Sequence, residues 1–424
     1  MAKAGRKKVL RVGVFGGRRG AYLGSVFQKR DDARVVAACE SSPGMKAFTA
    51  RQLGDVPIYD DFDRFLKHGM DAVVIANYAH EHVPYAVRAM EAGKHVLSEC
   101  LACSTMAEGV ALARAVERSG MVYTYAENYC FMAPFQEMRR LFAAGTVGDF
   151  LYAEGEYVHD CESIWPEIAY GQPDHWRNWM SATFYCSHAM GPVIKITGTR
   201  PVRVVGFTSP NRIGRRYGRR SDDMGLIVCQ MSNGAIMKAL QGMPKREPSS
   251  VWYLIYGTKG SMENNRWPDQ GYLNVYVEGD KGTPFQRSYK PAPPAAGSAG
   301  TGHGGADFYS IDGFVSRILH GRPNTIDVYE ALDMTLPGIL AFRSALEGSM
   351  PYEVPDFRKE SVRKRYEKDN WSVDPKFTGP GQPTSSSAHG VVRVPPSVYA
   401  RQRKLYQDWV KDLKKASRAS VAHK

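Results

Sequence analysis

Apolar and polar positions fall into alternating blocks along the first 125 residues. Segments 9–15, 34–40, 71–76, 95–99 and 121–125 are short, nearly continuous apolar runs. Between them, segments 21–28, 45–53, 82–92 and 105–119 carry apolar residues at helical spacing, and a short strand at Ile58-Tyr59 precedes a helix over 61–67. Strands that are apolar throughout are buried on both faces, and their alternation with helices predicts a parallel sheet with crossover connections. Right-handed crossovers make this a doubly wound α/β Rossmann domain.

The pattern changes after Tyr125. A helix over 135–144 leads into strands at 150–157, 202–208, 223–231, 235–241, 252–257 and 273–277. These predict an α+β domain with a large open, mainly antiparallel sheet and helices on one side. Residues 291–305, rich in Pro, Gly, Ala and Ser, are expected to form a mobile loop. Helices follow at 311–319 and 328–347, and 355–396 has little periodicity. A basic amphipathic helix over 397–415 is expected to pack as an arm on a neighbouring surface or subunit. The resulting division is 1–125 (dinucleotide-binding), 126–357 (substrate and oligomerisation) and 358–424 (extension), with no internal repeat.

The net charge of +13 gathers at Lys3, Arg6, Lys7 and Lys8, at Arg212, Arg215, Arg216, Arg219 and Arg220, and in the last two dozen or so residues. Such patches suit nucleic acid or a solvated surface with basic tails. The second reading is preferred because the charge forms no single block, so no nucleic-acid partner is expected. Seven scattered Cys, without zinc-type pairs, suit a reducing cytoplasm. The basic start runs straight into an apolar strand with no signal-peptide core, and no apolar run is long enough to cross a membrane. His159, His188 and His303 lack metal-ligand spacing, so no metal is expected.

Gly16, Gly17 and Gly20 follow the first strand as a Gly-Gly-x-x-Gly turn. Glycines there permit a tight turn and close approach to a pyrophosphate at a helix N-terminus. Glu40 ends the next strand 24 positions after Gly16, where a carboxylate bonds ribose hydroxyls and repels a 2′-phosphate, favouring NAD over NADP. Arg18 and Arg19 either flank the pyrophosphate or are solvated.

On these residues the chain resembles the Gfo/Idh/MocA family, the relatives of glucose–fructose oxidoreductase and inositol dehydrogenase, over about residues 8 to 357. The segment from Asp71 to Tyr78, with His82 beyond it, is similar to the family's strand, turn and His. The strand from His95 to Glu99 is similar to the one leading into a Glu-Lys-Pro motif, and Gly145-Thr146-Val147-Gly148 to the loop opening the second domain. The resemblance implies that Asn77, Glu99 and Asn128 line the nicotinamide and its ribose, with His82 in the same site. It also implies a homo-oligomer.

A narrower resemblance is to the NAD-dependent glycosidases typified by bacterial α-N-acetylgalactosaminidase. It rests on the motifs at 155–160, 187–192 and 302–308, and on Val354-Pro355-Asp356-Phe357. That branch lacks the Lys of Glu-Lys-Pro and the Asp that dehydrogenases place four residues before the His. Here those positions are Cys100, read as a small filler, and Phe184. The resemblance implies hydrolysis of a small glycoside through transient oxidation at C3, with Tyr157 and His188 as the proton-transfer pair. His159, Asp160, Trp176, His303 and Asp307 are the candidate sugar-binding residues. Each has a plainer reading: a core histidine for His188, a sheet-face aromatic for Tyr157, a cap for Asp160, core packing for Trp176, and a surface loop for His303 and Asp307. An ordinary sugar or cyclitol dehydrogenase and a non-catalytic NAD-binding sensor are the alternatives.

Overall fold

In the computed structural model, six apolar runs form one parallel sheet: β1 (Leu10–Phe15), β2 (Ala33–Cys39), β3 (Ile58–Tyr59), β4 (Ala72–Ile75), β5 (His95–Ser98) and β6 (Tyr123–Tyr125). The structure describes residues 8–280, 287–292, 295–298, 300–384 and 386–422. Lys3, Arg6 and Lys7 of the expected basic cluster lie outside the described residues, as do positions 293, 294 and 299 of the expected 291–305 loop. The sheet order is β3-β2-β1-β4-β5-β6. Every residue of β4 is buried, as a strand covered on both faces requires. The order reverses between β1 and β4, so the loops after these two strands diverge and open a crevice at their carboxyl ends.

The second sheet has nine strands. β7 (Phe150–Val158) lies at its centre, paired parallel with β10 (Ile236–Gly242) and antiparallel with β11 (Ser250–Gly257). The others are β8 (Pro201–Thr208), β9 (Met224–Met231), β12 (Gly260–Asn264), β13 (Leu273–Val277), β14 (Ser288–Tyr289) and β15 (Tyr352–Glu353), in the order β14-β13-β12-β11-β7-β10-β9-β8-β15. The mainly antiparallel expectation holds, with the β7–β10 pair parallel. Helices Ser187–Thr197 and Val328–Leu346 lie against this sheet. A glycine makes the close approach possible: a Cβ on Gly155 of β7 would come 1.8 Å from the Ala189 carbonyl oxygen. Any side chain at 155 would push away the helix that carries His188.

The C-terminal helix Pro396–Ala422 docks on the chain's own surface, against helix Pro43–Leu53 of the first domain and the short helix Trp165–Ile168 of the second. Trp409 stacks near Phe48 at 6.4 Å, and the Tyr406 hydroxyl lies 3.5 Å from that of Ser42. Tyr406 and Val410 close over Gly44, while Tyr399 donates to the Gly218 carbonyl at 3.0 Å. The amphipathic face expected from the sequence is real; the surface it covers belongs to this chain and borders the β2 end of the crevice. Among the described residues, no helix is long and apolar enough to cross a membrane.

Burial of an aromatic side chain contributes about 1.5–3 kcal/mol. Trp409→Ala should therefore lower unfolding stability by about 1–3 kcal/mol, and removal of 396–424 by more. Thermal unfolding of the three proteins checks this; equal midpoints would show that the helix is not docked.

Candidate active site

The turn after β1 brings the crevice together. Gly16 has φ of +110°, and a Cβ there would lie 2.2 Å from the Ala76 carbonyl oxygen after β4. Only glycine fits, and the two strand ends stay in contact. The Gly17 N–H donates to one oxygen of Glu40 at 2.7 Å, and the Ser42 N–H to the other at 2.7 Å. Burial pushes the Glu40 carboxyl above its ordinary value, with these backbone donors opposing it.

Two adjoining clefts share Ala76, Asn77, Tyr78 and Tyr170 as walls. One, of about 510 Å³, runs past Gly16, Gly17, Glu40 and Ser42. The other, of about 280 Å³, is walled by Arg19, Glu99, Tyr157, Trp176, His188 and His303. The buried side-chain oxygens of Asn77 and Asn128, both residues of the second cleft's wall, have no hydrogen-bond partner among the described residues. A glycine cradle, a carboxylate at the far end and unpartnered amide oxygens at the near end fit an extended dinucleotide with a polar carboxamide head.

Arg19 and Asp307 tie this crevice to the second domain. The Arg19 guanidinium donates to Glu99 at 2.8 Å and to both oxygens of Asp307 at 2.8 and 2.7 Å. Asp307 also accepts from Asn128 at 3.0 Å and faces His303 Nδ1 at 3.2 Å. Burial alone would raise the Asp307 carboxyl; Arg19 and His303 outweigh it and hold the group well below the usual carboxylate range. Arg18 pairs instead with Glu167 at 3.0 Å.

His188 stands in the first turn of helix Ser187–Thr197, and its Nδ1 lies 2.8 Å from both oxygens of Glu127. Glu127 follows β6 and is fully buried. It also accepts the Tyr129 N–H at 3.2 Å and the Cys100 thiol at 3.3 Å. Burial pushes this carboxyl up; the facing His188 ring, with the Cys100 thiol donating as well, overrides it and leaves the group below its ordinary value. A carboxylate facing Nδ1 accepts a hydrogen bond from that nitrogen, so in the neutral imidazole Nε2 carries the free lone pair. Cys100 is more than filler. Burial and the Glu127 charge keep it a thiol, so it serves as a donor. Cys100, Glu127 and His188 have ligand atoms within 4.8 Å of one another, a grouping of metal-ligand types that the sequence spacing did not suggest. In this arrangement the thiol and the imidazole are both turned to the carboxylate.

Tyr157 packs edge-on to His188, with ring centroids 4.8 Å apart, and beside Tyr129 and Tyr185. Burial, then the neighbouring phenols, holds its hydroxyl well above the usual tyrosine range. Tyr157, Trp176, His188 and His303 thus converge on one cleft. Other expected residues do not. Asp160 caps the Glu162 N–H at 3.0 Å and pairs with Lys245 at 3.1 Å, outside the cleft walls. His159 lies just past the end of β7, against the Cys161 thiol at 3.2 Å. Asp307 has its oxygens taken by Arg19, Asn128 and His303, which makes it an anchor of the wall rather than a sugar ligand. His82 reaches the cleft, but its ring nitrogens face the Leu101 and Asn77 carbonyls at 2.8 and 3.4 Å. Phe184 is core, packed near Phe342. Sequence reasoning missed Glu127, Tyr129 and Arg177; an acid closing the last strand of the first sheet was the available signal for Glu127.

Comparison with known proteins follows this geometry. Residues 7–127 match the model of an oxidoreductase family with an NAD-binding Rossmann fold, and 135–263 match the GFO/IDH/MocA C-terminal domain. Residues 227–364 match the C-terminal domain of glycosyl hydrolase 109. The chain is 25% identical to a glycosyl hydrolase family 109 protein of Saccharopolyspora erythraea, over 83% of this chain and 84% of that one. It is 26% identical to an alpha-N-acetylgalactosaminidase of Bacteroides fragilis, over 70% of this chain and 77% of the other. Among solved structures it shares its fold with a levoglucosan dehydrogenase in complex with NADH and levoglucosan (TM-score 0.70, 21% identity, 82% of this chain and all of that one). A myo-inositol 2-dehydrogenase from Lactobacillus plantarum has the same fold (TM-score 0.67, 18% identity, 82% of this chain and all of that one).

Two outcomes follow. Glu40→Ser should weaken NAD binding and narrow the preference over NADP, measured by calorimetry with both dinucleotides; an unchanged ratio would remove Glu40 from the ribose site. A carboxyl lowered by folding contributes stability that is fully present above its unfolded value near 4 and is lost as pH falls towards the folded value. The stability gap between wild type and Asp307→Asn should therefore be widest near neutrality and shrink steadily below about pH 4. A gap that is constant with pH would contradict the Arg19–Asp307 assignment.

Proposed function

Since the chain belongs to the Gfo/Idh/MocA oxidoreductase family, we propose that it is an NAD-dependent enzyme that hydrolyses a small glycoside through transient oxidation of the sugar at C3. Its function is coarsely that of a glycosidase-like enzyme or a dehydrogenase. The finer reading draws support from the family 109 C-terminal match and from a relative named for cleaving an N-acetylgalactosaminide. The observation that carries it is the Glu127–His188 pair beside Glu99. Where the family resemblance places a lysine, this chain offers the Cys100 thiol, bonded to the same Glu127.

Gly16, Gly17, Glu40, Asn77, Glu99 and Asn128 would hold NAD along the crevice. When bound there, NAD supplies a reversible hydride acceptor, so oxidation and re-reduction of the sugar leave no net redox change. The chain's residues handle the protons. His188 accepts the C3 hydroxyl proton at Nε2 while Glu127 stabilises the resulting imidazolium, and returns it when the hydroxyl is restored. A ketone at C3 acidifies the C2 proton, whose loss expels the C1 substituent; water then adds at C1. Tyr157 is the group at C2. Burial favours its phenol form, so the imidazolium first releases the C3 proton to solvent. The freed imidazole then takes the phenol proton as Tyr157 takes the C2 proton, and the imidazolium protonates the departing C1 oxygen, with the transfers reversed on water addition and re-reduction. Trp176 and His303 wall the sugar. This route stands apart from the two-carboxylate glycosidases.

Aryl and natural glycosides should release product with no net rise in the NADH absorbance band and with NAD needed only in catalytic amount. His188→Ala should abolish turnover with NAD still bound. Glu127→Gln should lower kcat by about 10²-fold or more, again with NAD bound. NADH accumulating in step with product would make the enzyme a net dehydrogenase, and wild-type rates in His188→Ala would overturn the assignment.

A further inference from the structure

A second, smaller recess opens beside the sugar cleft and shares Tyr157, Trp176, Arg177 and Tyr185 with it. Its far side is made by Arg219, which precedes β9, and Gln241 of β10. Gln241 pairs in register with Tyr157 across the parallel β7–β10 ladder, so both side chains leave the same face of the sheet. Its volume is about 30 Å³, enough for roughly two water-sized groups and too little for a sugar ring.

The polar groups around the recess are unsatisfied. Gln241 is 1% exposed, and neither end of its amide has a partner among the described residues. Arg219 is 3% exposed. Its guanidinium touches only the Met243 sulfur at 3.0 Å and the Met180 carbonyl at 3.4 Å, and its Nε has no partner. Among the described residues no carboxylate is ion-paired with it. The neighbouring acids are committed elsewhere: Asp223 accepts the N–H groups of Arg212, Ile213 and Gly214 at 2.6, 2.8 and 2.9 Å, and Asp222 accepts from Ser387 and Ala388. Burial accordingly pulls the Arg219 guanidinium below its usual range. Arg177 comes from the opposite wall, stacked over Trp176 at 4.3 Å and likewise without an ion pair among the described residues. Cys161 lies within the field of both guanidinia. A buried cation without an ion-pair partner is costly. Asp222 and Asp223 act on Arg219 only at a distance, and with the partly exposed Arg177 facing the same recess the site favours an anion from outside the chain.

Resting on the proposed sugar chemistry of the adjoining cleft, we infer that this recess is an anion subsite and that the preferred substrate is an anionic glycoside, its oxyanion held between Arg219, Arg177 and the Gln241 amide. A ring carboxylate, a sulfate ester and a phosphate ester share this chemistry. Each would accept the planar donor forks of both arginines.

Calorimetry on the NAD-loaded enzyme, read as binding alone, tests this. The probes are methyl glucoside and methyl galactoside, the corresponding methyl glucuronide and galacturonide, and the 6-sulfates and 6-phosphates of the neutral pair. Charge-assisted hydrogen bonds contribute about 1.5–3 kcal/mol each, so at least one anionic series should bind about 10- to 100-fold tighter than its neutral parent. The series that gains identifies the anion. Arg219→Gln and Arg177→Gln should each collapse the ratio towards unity with NAD still bound. Arg177 is partly exposed, so its variant serves if the buried Arg219 variant does not fold. Equal binding of neutral and anionic probes, or a ratio that survives in the folded variants, would overturn the subsite. Anion preference without any product would contradict the proposed reaction and leave the subsite standing; hydrolysis of neutral glycosides with no anion preference does the reverse.

Discussion

A carboxylate with no contact to water sits where the two domains meet, and the site is organised around the need to satisfy it. Desolvating such a charge costs several kcal/mol, and hydrogen bonds to a charged acceptor return about 1.5–3 kcal/mol each. Glu127 is stable as an anion only because donors converge on it from three places: the His188 imidazole on a second-domain helix, the Cys100 thiol after β5, and the Tyr129 N–H of its own turn. Satisfying the charge fixes the imidazole's tautomer and aims its free nitrogen away from Glu127. One electrostatic requirement thus fixes both the domain contact and the imidazole.

The Arg19–Asp307 pair applies the same logic on the other wall. An arginine from the glycine turn reaches across to an aspartate at the start of helix Ala306–His320, and the bond network extends to Glu99, Asn128 and His303. The two adjoining clefts are therefore held in register by charge pairs rather than by apolar contact alone. The contrast with Arg219 is informative. Where the fold needs an arginine for architecture it supplies a carboxylate, as for Arg18, Arg19 and Arg30. Arg219 and Arg177, beside the sugar cleft, receive none among the described residues.

Much of the fold was legible in the sequence because the first sheet is written in continuous apolar runs and the second in alternating ones. The short strands β12, β14 and β15 were not foreseen, since two to five residues such as Gly260–Asn264 carry too little periodicity and form only because a long neighbour offers them a ladder. The C-terminal helix could be read from its amphipathic face, but what that face covers depends on Gly44 and Phe48, some 360 residues earlier. The glycine turn, Glu40 and His188 had local signatures. Glu127 had none strong enough, because its meaning lies in a partner 61 residues away. Asp160 and Asp307 carried two readings each, and only their three-dimensional partners show what engages them: the Glu162 N–H and Lys245 for Asp160, and Arg19, Asn128 and His303 for Asp307.

The central claim is that the C2 proton of the sugar leaves during turnover while His188, held by Glu127, manages the charge. Turnover in heavy water, with the product sugar read by NMR, tests it most directly. The account predicts deuterium at C2 of every product molecule, together with an unlabelled C3. Product that retains its original hydrogen at C2 would contradict it.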